Sequence, residues 1–293
     1  SLVEGIYRDN RAADAFNLAM TEAVVGLVRE RVRQEPGARL RILEIGAGTG
    51  GTSAGLFAAL QPYEAHIETY VYTDLSKAFL NHARTTYGPR APYLACERFD
   101  VEKPPEEQGI ALGSFDLVVA ANVLHATRDI RKTLRHAKAT LRGGGWLLLN
   151  ELTSFELFSH LTFGLLDGWW LFEDAALRIP GSPALSPESW QRVLRSEGFP
   201  AVHFLCPDAH GLGQQIIAAE HEGRVRQPDA VRRAPEVVPA PETVFQVPVS
   251  RPPARADALE ARTLEYLRQK VAATLRVPLE SIETSAPLTS YGM

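Results

Sequence analysis

Glycines at 46, 48 and 50 in the run Leu43-Glu44-Ile45-Gly46-Ala47-Gly48-Thr49-Gly50-Gly51-Thr52 constrain this chain more than any other feature. They come after the short apolar run Leu40-Arg41-Ile42 and lead into a helix-like stretch, Ser53 to Leu60, so the order is strand, glycine turn, helix. Glycine tolerates positive φ and lets a ligand come close to the main chain, while the helix start adds unpaired N–H donors. This is the opening of a nucleotide-cofactor site. Dinucleotide enzymes also use closely spaced glycines at this place, so the choice of cofactor depends on the acids around the turn and further along the chain.

Glu44 stands at the strand end before the first glycine, where a carboxylate attracts a cationic aminoacyl or sulfonium group and repels a pyrophosphate. A second β-rich run, Ile67 to Thr73, ends at Asp74, an acid placed to hydrogen-bond ribose hydroxyls. That acid alone does not separate NAD from S-adenosylmethionine. A third strand, near 93–98, leads to Phe99-Asp100-Val101, where a carboxylate can take an adenine amino group and apolar atoms can cover the ring. The other reading of Asp74 and Asp100 is that they cap the next turns or helices. Taken together, the three acids and the glycine loop favour S-adenosylmethionine.

Glu44 to Thr52, Asp74 and Asp100 resemble the binding motifs of class I S-adenosylmethionine-dependent methyltransferases. More narrowly, residues 3–222 resemble polyketide-synthase C-methyltransferase domains. That likeness rests on Gly5-Ile6-Tyr7-Arg8-Asp9-Asn10, Ala121-Asn122-Val123-Leu124-His125-Ala126-Thr127, Asn150-Glu151-Leu152-Thr153 and Leu161-Thr162-Phe163-Gly164-Leu165-Leu166-Asp167-Gly168-Trp169-Trp170. The resemblance implies methyl transfer from S-adenosylmethionine, leaving S-adenosylhomocysteine, to a carrier-bound acyl chain, most often at the α-carbon of a β-ketoacyl thioester. It implies a cofactor set of Glu44, Gly46, Gly48, Gly50, Thr52, Asp74, Asp100, Val101 and Asn122.

Composition agrees with one large α/β domain and something smaller: 293 residues, 45% hydrophobic and 23% charged. A formal charge of −4 without a Lys/Arg-rich run argues against a nucleic-acid partner. Cys96 and Cys206 lack metal-ligand spacing, and the remaining histidines show no paired spacing, so no metal is expected. No apolar run is long enough to span a bilayer, and the start lacks a signal-peptide pattern, which leaves a soluble cytoplasmic protein as the expectation.

Alternating elements predict a doubly wound, mostly parallel sheet of seven strands in residues 1–222, preceded by a helical lid segment over 1–36 with a helix at Ala12 to Arg33. Strands are expected near 40–45, 67–73, 93–98, 115–121 and 145–151, and an antiparallel edge hairpin at Ala201 to Cys206 and Gln214 to Ala219. Between Arg224 and Pro253 stand seven prolines, which predict a semi-rigid linker over 223–256. Leu259, Thr263, Tyr266, Leu267, Val271 and Leu275 then recur at helical spacing. With Tyr291-Gly292-Met293, residues 257–293 resemble the start of an acyl carrier protein, ending before the serine that would receive phosphopantetheine. Other polyketide-synthase domains and a carrier are the partners this implies.

Carbon methylation needs a base to take the α-proton and form an enolate. His125, just past the fourth strand, is the candidate, since imidazole is the side chain suited to proton transfer near neutral pH, and Glu151, just past the fifth, can hold one ring nitrogen and raise the basicity of the other. A histidine at this place can also simply pack or cap. Tyr7 is a candidate to steady the thioester or enolate oxygen, or else packs an N-terminal arm. Asn10 and Asn17 are expected in a lid that folds over the cofactor and at the substrate tunnel, and Phe163, Trp169 and Trp170 line an acyl tunnel or fill the core. Asn122 contacts the aminoacyl group or fixes its turn. The same His–Glu pair could serve O-methylation of a β-hydroxyl or enol, and a domain that keeps the fold without activity would be a docking module.

Overall fold

The computed structural model describes residues 11–223 together with Glu265, Arg268 and Leu279. The chain divides into two compact units, residues 1–230 and 231–293. In the second, the Arg268 guanidinium donates to the Glu265 carboxylate at 3.4 Å and to the Leu279 carbonyl at 3.3 Å. The Gly5–Asn10 motif, with Tyr7 and Asn10, lies outside the described residues, as do the linker and nearly all of the carrier-like segment.

Seven strands form one sheet: β1 (Leu40–Ile45), β2 (Ile67–Asp74), β3 (Leu94–Arg98), β4 (Phe115–Ala121), β5 (Leu141–Leu152), β6 (Val202–Phe204) and β7 (Gln214–Glu220). Their order is β3-β2-β1-β4-β5-β7-β6, with β7 antiparallel to β5 and β6 and every other pairing parallel. This is the doubly wound sheet with an antiparallel edge hairpin that the sequence predicts. β5 differs at its start. The sequence places this strand near 145–151, yet Leu141 already pairs with Phe115, and a register shift after Phe115 absorbs the glycines at 143–145.

β4 is buried over six of its seven residues, the continuous burial expected of an inner parallel strand covered on both faces. One face receives α1 (Arg11–Gln34), α2 (Gly51–Leu60) and α3 (Lys77–Thr86), through Phe16, Met20, Val24 and Val28, Leu56 and Leu60, and Leu80 and Ala83. The i, i+4 spacing in α1 makes that apolar stripe. The other face receives α4 (Ile130–Thr140) and α6 (Pro187–Ser196), through Ile130, Leu134 and Ala137 and through Trp190, Val193 and Leu194. Asp129 caps α4 by accepting from the Arg131 and Lys132 amides, and Ser186 caps α6. Between β5 and α6 the chain makes the short helix α5 (Leu157–Thr162) and a series of single turns.

The strand order reverses between β1 and β4, so a crevice opens beyond their carboxyl ends, where open α/β sheets bind ligands. Ala121 pairs with Asn150 across β4 and β5. That register brings the residues after Ala121 beside Glu151, although 26 or more positions separate His125 and its predecessors from it in sequence.

Candidate active site

The loop after β1 is held in a conformation only glycine adopts easily. Gly46, Gly48 and Gly50 have φ of 62°, 60° and 83°. A Cβ on Gly46 would meet the two Val123 methyls at 2.6 and 2.7 Å, whereas one on Gly48 would meet nothing closer than the Gly46 carbonyl at 4.0 Å. Open space at Gly48 leaves its main chain approachable by a ligand. The Tyr72 hydroxyl donates to the Gly48 carbonyl at 2.7 Å, and the Gly48 amide donates to Asp74 at 3.0 Å. The other Asp74 oxygen accepts from the Ser76 amide at 2.7 Å ahead of α3. Asp74 therefore braces the glycine loop and the start of α3, with lone pairs still available to a hydroxyl.

Glu44 is buried and accepts from Ser53 Oγ at 2.6 Å and from the Tyr70 hydroxyl at 2.7 Å. Burial pushes its pKa up to about 7, against the two hydrogen bonds that lower it, with the nearby Asp74 adding to the rise. Its carboxylate ties β1 to α2 and β2 beneath the loop.

The turn after β4 carries the second half of the site. Asn122 is the one non-glycine residue with positive φ among the described residues, at 55°. Asparagine is among the residues that tolerate this region best. The Asn122 amide donates to the Asn150 carbonyl at 2.7 Å, and Gln214 Nε2 donates to the side-chain oxygens of Asn150 and Asn122 at 2.6 and 3.3 Å. His125 and Glu151 are both buried, and His125 Nδ1 lies 2.5 Å from Glu151 Oε2. Glu151 Oε1 accepts from the Leu124 amide at 2.8 Å and the Val123 amide at 3.2 Å. The carboxylate is thus fixed by the backbone of the turn that carries His125. With Nδ1–H donated to it, Nε2 is the free basic nitrogen.

Arg178, buried behind this turn, donates to the carbonyls of His125 at 2.6 Å, Thr127 at 3.0 Å and Pro183 at 2.7 Å, and pairs with Asp174 at 2.6 Å. Nothing in its local sequence marks it, because most of its partners are main-chain oxygens, two of them distant along the chain.

A cavity of about 660 Å³ joins the two halves. Glu44, Gly46, Gly48, Thr52, Asn122, His125, Asn17, Phe163 and Trp169 all line it. Asn17 sits on the glycine-loop side, where Thr52 Oγ1 donates to its side-chain oxygen at 2.9 Å, so it is not in the aromatic wall. Gly50 and Glu151 do not line it, although their chain neighbours Thr49, Gly51, Asn150 and Leu152 do. Asp74, Asp100 and Val101 are not in the wall: Asp100 accepts from the Glu102 amide at 3.1 Å and pairs with Lys103 at 2.8 Å, and Val101 packs in the core beneath α4. Trp170 also lies outside it, with a ring half exposed and its indole N–H donated to the Gly164 carbonyl at 2.8 Å. Phe79 in α3 lines the cavity although no sequence motif marks it, and so does Asn150, which adjoins Glu151 in the Asn150–Thr153 motif. No group of three or more His, Cys, Asp or Glu able to hold a metal occurs among the described residues, and no described helix is long and apolar enough to cross a membrane.

Comparisons with known proteins agree with this geometry. Residues 43–147 match a family model described as a methyltransferase domain. The whole chain is 47% identical to part of polyketide synthase PksM of Bacillus subtilis (strain 168) and spans 7% of that protein's length. Among solved structures, the DszA carbon methyltransferase superposes with a TM-score of 0.71 at 42% identity, over 75% of this chain and 57% of that one. The CurJ carbon methyltransferase gives 0.65 at 35% identity, over 73% and 56%. The described sheet and helices are those of the class I methyltransferase fold.

Proposed function

We propose that this S-adenosylmethionine-dependent methyltransferase acts as one domain of a polyketide synthase and methylates the α-carbon of a β-ketoacyl thioester held on an acyl carrier protein. The observation that carries the reading is the buried His125–Glu151 pair, with His125 on the wall of the same cavity as the glycine loop. The likeness to two carbon methyltransferases and to a polyketide synthase supports the choice of acceptor.

S-Adenosylmethionine supplies an electrophilic methyl group. The open approach to Gly48 and the N–H groups at the start of α2 suit it, and Gly46, Gly48, Gly50, Thr52 and Asn122 would hold it, with Glu44 beneath them. Asp74 would accept from the ribose from its place beside the loop, and Asp100 with Val101 would serve the adenine. On the acyl side, His125 Nε2 takes the α-proton while Glu151 balances the imidazolium that forms. The C–H electron pair becomes the enolate, whose carbon would take the methyl group as the S–CH₃ pair leaves with sulfur. Phe163 and Trp169 give the acyl chain an apolar wall. Tyr7 and Asn10 would close the site from the N-terminal side. Residues 223–256 would act as the linker and 257–293 as the beginning of a carrier, within a cytoplasmic multidomain synthase.

Intact-protein mass spectrometry tests the reading. A carrier-bound β-ketoacyl substrate and its β-hydroxyacyl analogue are each incubated with S-adenosylmethionine and with wild type or His125→Ala. A methyl group placed on carbon by fragmentation, and lost in His125→Ala, is the expected result. Methylation of the hydroxyl substrate alone would replace carbon by oxygen as acceptor, and transfer to neither substrate despite cofactor binding would make the domain a docking module.

A further inference from the structure

Trp169 carries a polar atom that the fold leaves unused. Its ring is 5% exposed, and its indole nitrogen is buried with no hydrogen-bond partner. Buried N–H groups are nearly always paired, and each exception calls for an explanation. The other indoles nearby obey the rule: Trp170 donates to the Gly164 carbonyl at 2.8 Å and Trp190 to the Leu152 carbonyl at 3.4 Å.

Four further described residues contain an unpaired buried side-chain atom, namely Arg31, Arg41, Arg142 and Gln215. Each still uses another atom of the same group, in pairs with Glu35, Glu68, Asp116 and the Cys206 carbonyl. None of the four lines the cavity, whereas Trp169 does. An indole has one donor, so Trp169, whose ring lines the cavity, leaves its whole hydrogen-bonding capacity unmet.

The rings packed on Trp169 set it beside the proposed base. The Trp169 and His125 rings meet edge to face with centroids 5.6 Å apart, and the Phe163 ring stacks on Trp169 at 5.9 Å. A carbonyl group whose α-carbon lies against His125 Nε2 would have its oxygen on the side of Trp169, and the N–H reaches it once the indole turns from its closed-off position toward the cavity. A neutral donor in an apolar wall gains most when the oxygen acquires charge, because water is excluded there.

We propose that Trp169 Nε1–H donates a hydrogen bond to the β-carbonyl oxygen of the acyl substrate and stabilises it as it becomes an enolate. The inference rests on the proposed methylation of carbon. As His125 Nε2 removes the α-proton, the C–H pair shifts into the new C=C bond and the carbonyl π pair moves onto oxygen, where the indole N–H holds it. The oxygen pair then restores the C=O bond while the C=C pair forms the bond from the α-carbon to the methyl group, and the S–CH₃ pair departs with sulfur. Trp169 is on this account a catalytic residue, beside any donor from the N-terminal segment.

Two variants separate the N–H from the ring. Trp169→Phe keeps an aromatic wall without the donor, and replacing Trp169 by 3-benzothienylalanine keeps the bicyclic shape with sulfur in place of N–H. Both are assayed for carbon methylation and for α-proton exchange into deuterium oxide, with S-adenosylmethionine affinity measured by calorimetry as a check on the fold. The expected result is a fall of about 100-fold in kcat and in exchange for both variants, the scale for one lost oxyanion donor, with cofactor affinity unchanged. Wild-type rates in the benzothienyl protein would overturn the role of the N–H. Carbon methylation by wild type alongside an unimpaired variant refutes only Trp169, whereas failure of wild type to methylate carbon refutes the proposed function and this inference together.

Discussion

Glu151→Gln changes one carboxylate oxygen into an NH₂ group with hardly any change in volume, and the structure dictates which oxygen is lost. If the amide oxygen takes the place of Oε2, the bond from His125 Nδ1–H survives, but the NH₂ group then confronts the Val123 and Leu124 amides, which are donors. Two buried N–H groups would go unpaired at about 1–3 kcal/mol each. With the oxygen in the place of Oε1 both amides keep their acceptor, and the NH₂ group faces His125 Nδ1. The ring answers by shifting its proton to Nε2, so that Nδ1 can accept. This second arrangement is the cheaper one, and it removes the base. The expected fall in kcat for carbon methylation is about 10³- to 10⁴-fold, in line with a carboxylate-to-amide change behind the histidine of a serine-protease triad. The fold loses less, about 1–3 kcal/mol, because the backbone bonds persist and only the charge-assisted bond goes. Transfer is monitored by intact mass, and the tautomer by ¹⁵N shifts of the His125 ring. A Glu151→Gln protein that methylates within about tenfold of wild type, or whose ring keeps its proton on Nδ1, would refute the argument.

The same geometry predicts the outcome of three other perturbations. Glu44 binds its proton more tightly folded than unfolded, with the pKa raised from an ordinary 4.5 to about 7 by burial. Its contribution to stability is therefore fully present at acid pH and declines as pH rises from 4.5 through 7, by about 3 kcal/mol at most; urea midpoints should show wild type losing this much relative to Glu44→Gln, and parallel curves would contradict it. Gly46→Ala drives a Cβ into Val123 at positive φ and should cost well over the roughly 1–2 kcal/mol of left-handed strain alone, while Gly48→Ala, with open space, should cost only about that strain; equal melting temperatures for the two would sink the distinction. Arg178→Ala leaves Asp174 without its buried guanidinium and three carbonyls without donors, so chemical denaturation should reveal a loss of about 3–5 kcal/mol, and a change under about 1 kcal/mol would deny that Arg178 holds the His125 turn.

Legibility in the sequence divides along the range of the interactions involved. The glycine loop is legible because its cause is local: Gly46, Gly48 and Gly50 need positive φ, and an apolar run before them and a helix after them are enough to place the turn. Strand-end acids can be located from sequence but not aimed. Asp74 grips the Gly48 amide and Asp100 pairs with Lys103, contacts that depend on how loops settle once the sheet exists. The sequence suggests Asn17 for a lid over the cofactor or the substrate tunnel, and which side it serves depends on α1 packing on the same face as α2, which brings Asn17 against Thr52.

The pairing of His125 with Glu151 lies between these cases. Each sits just past or at the end of a strand, which the sequence shows, and the pairing itself arises only because β4 and β5 are neighbours in register at Ala121 and Asn150. Arg178 and the unpaired indole of Trp169 have no such route. Main-chain oxygens carry no residue identity, so an arginine that bonds to three of them leaves no pattern, and an absent hydrogen bond leaves none at all. The residues that hold or complete a site through the backbone are for that reason the ones to look for in three dimensions. The contrast between Trp169 and Trp170 shows why: adjacent in sequence, Trp170 spends its N–H on Gly164 at the surface, while Trp169 keeps its own unpaired in a ring packed edge to face on His125.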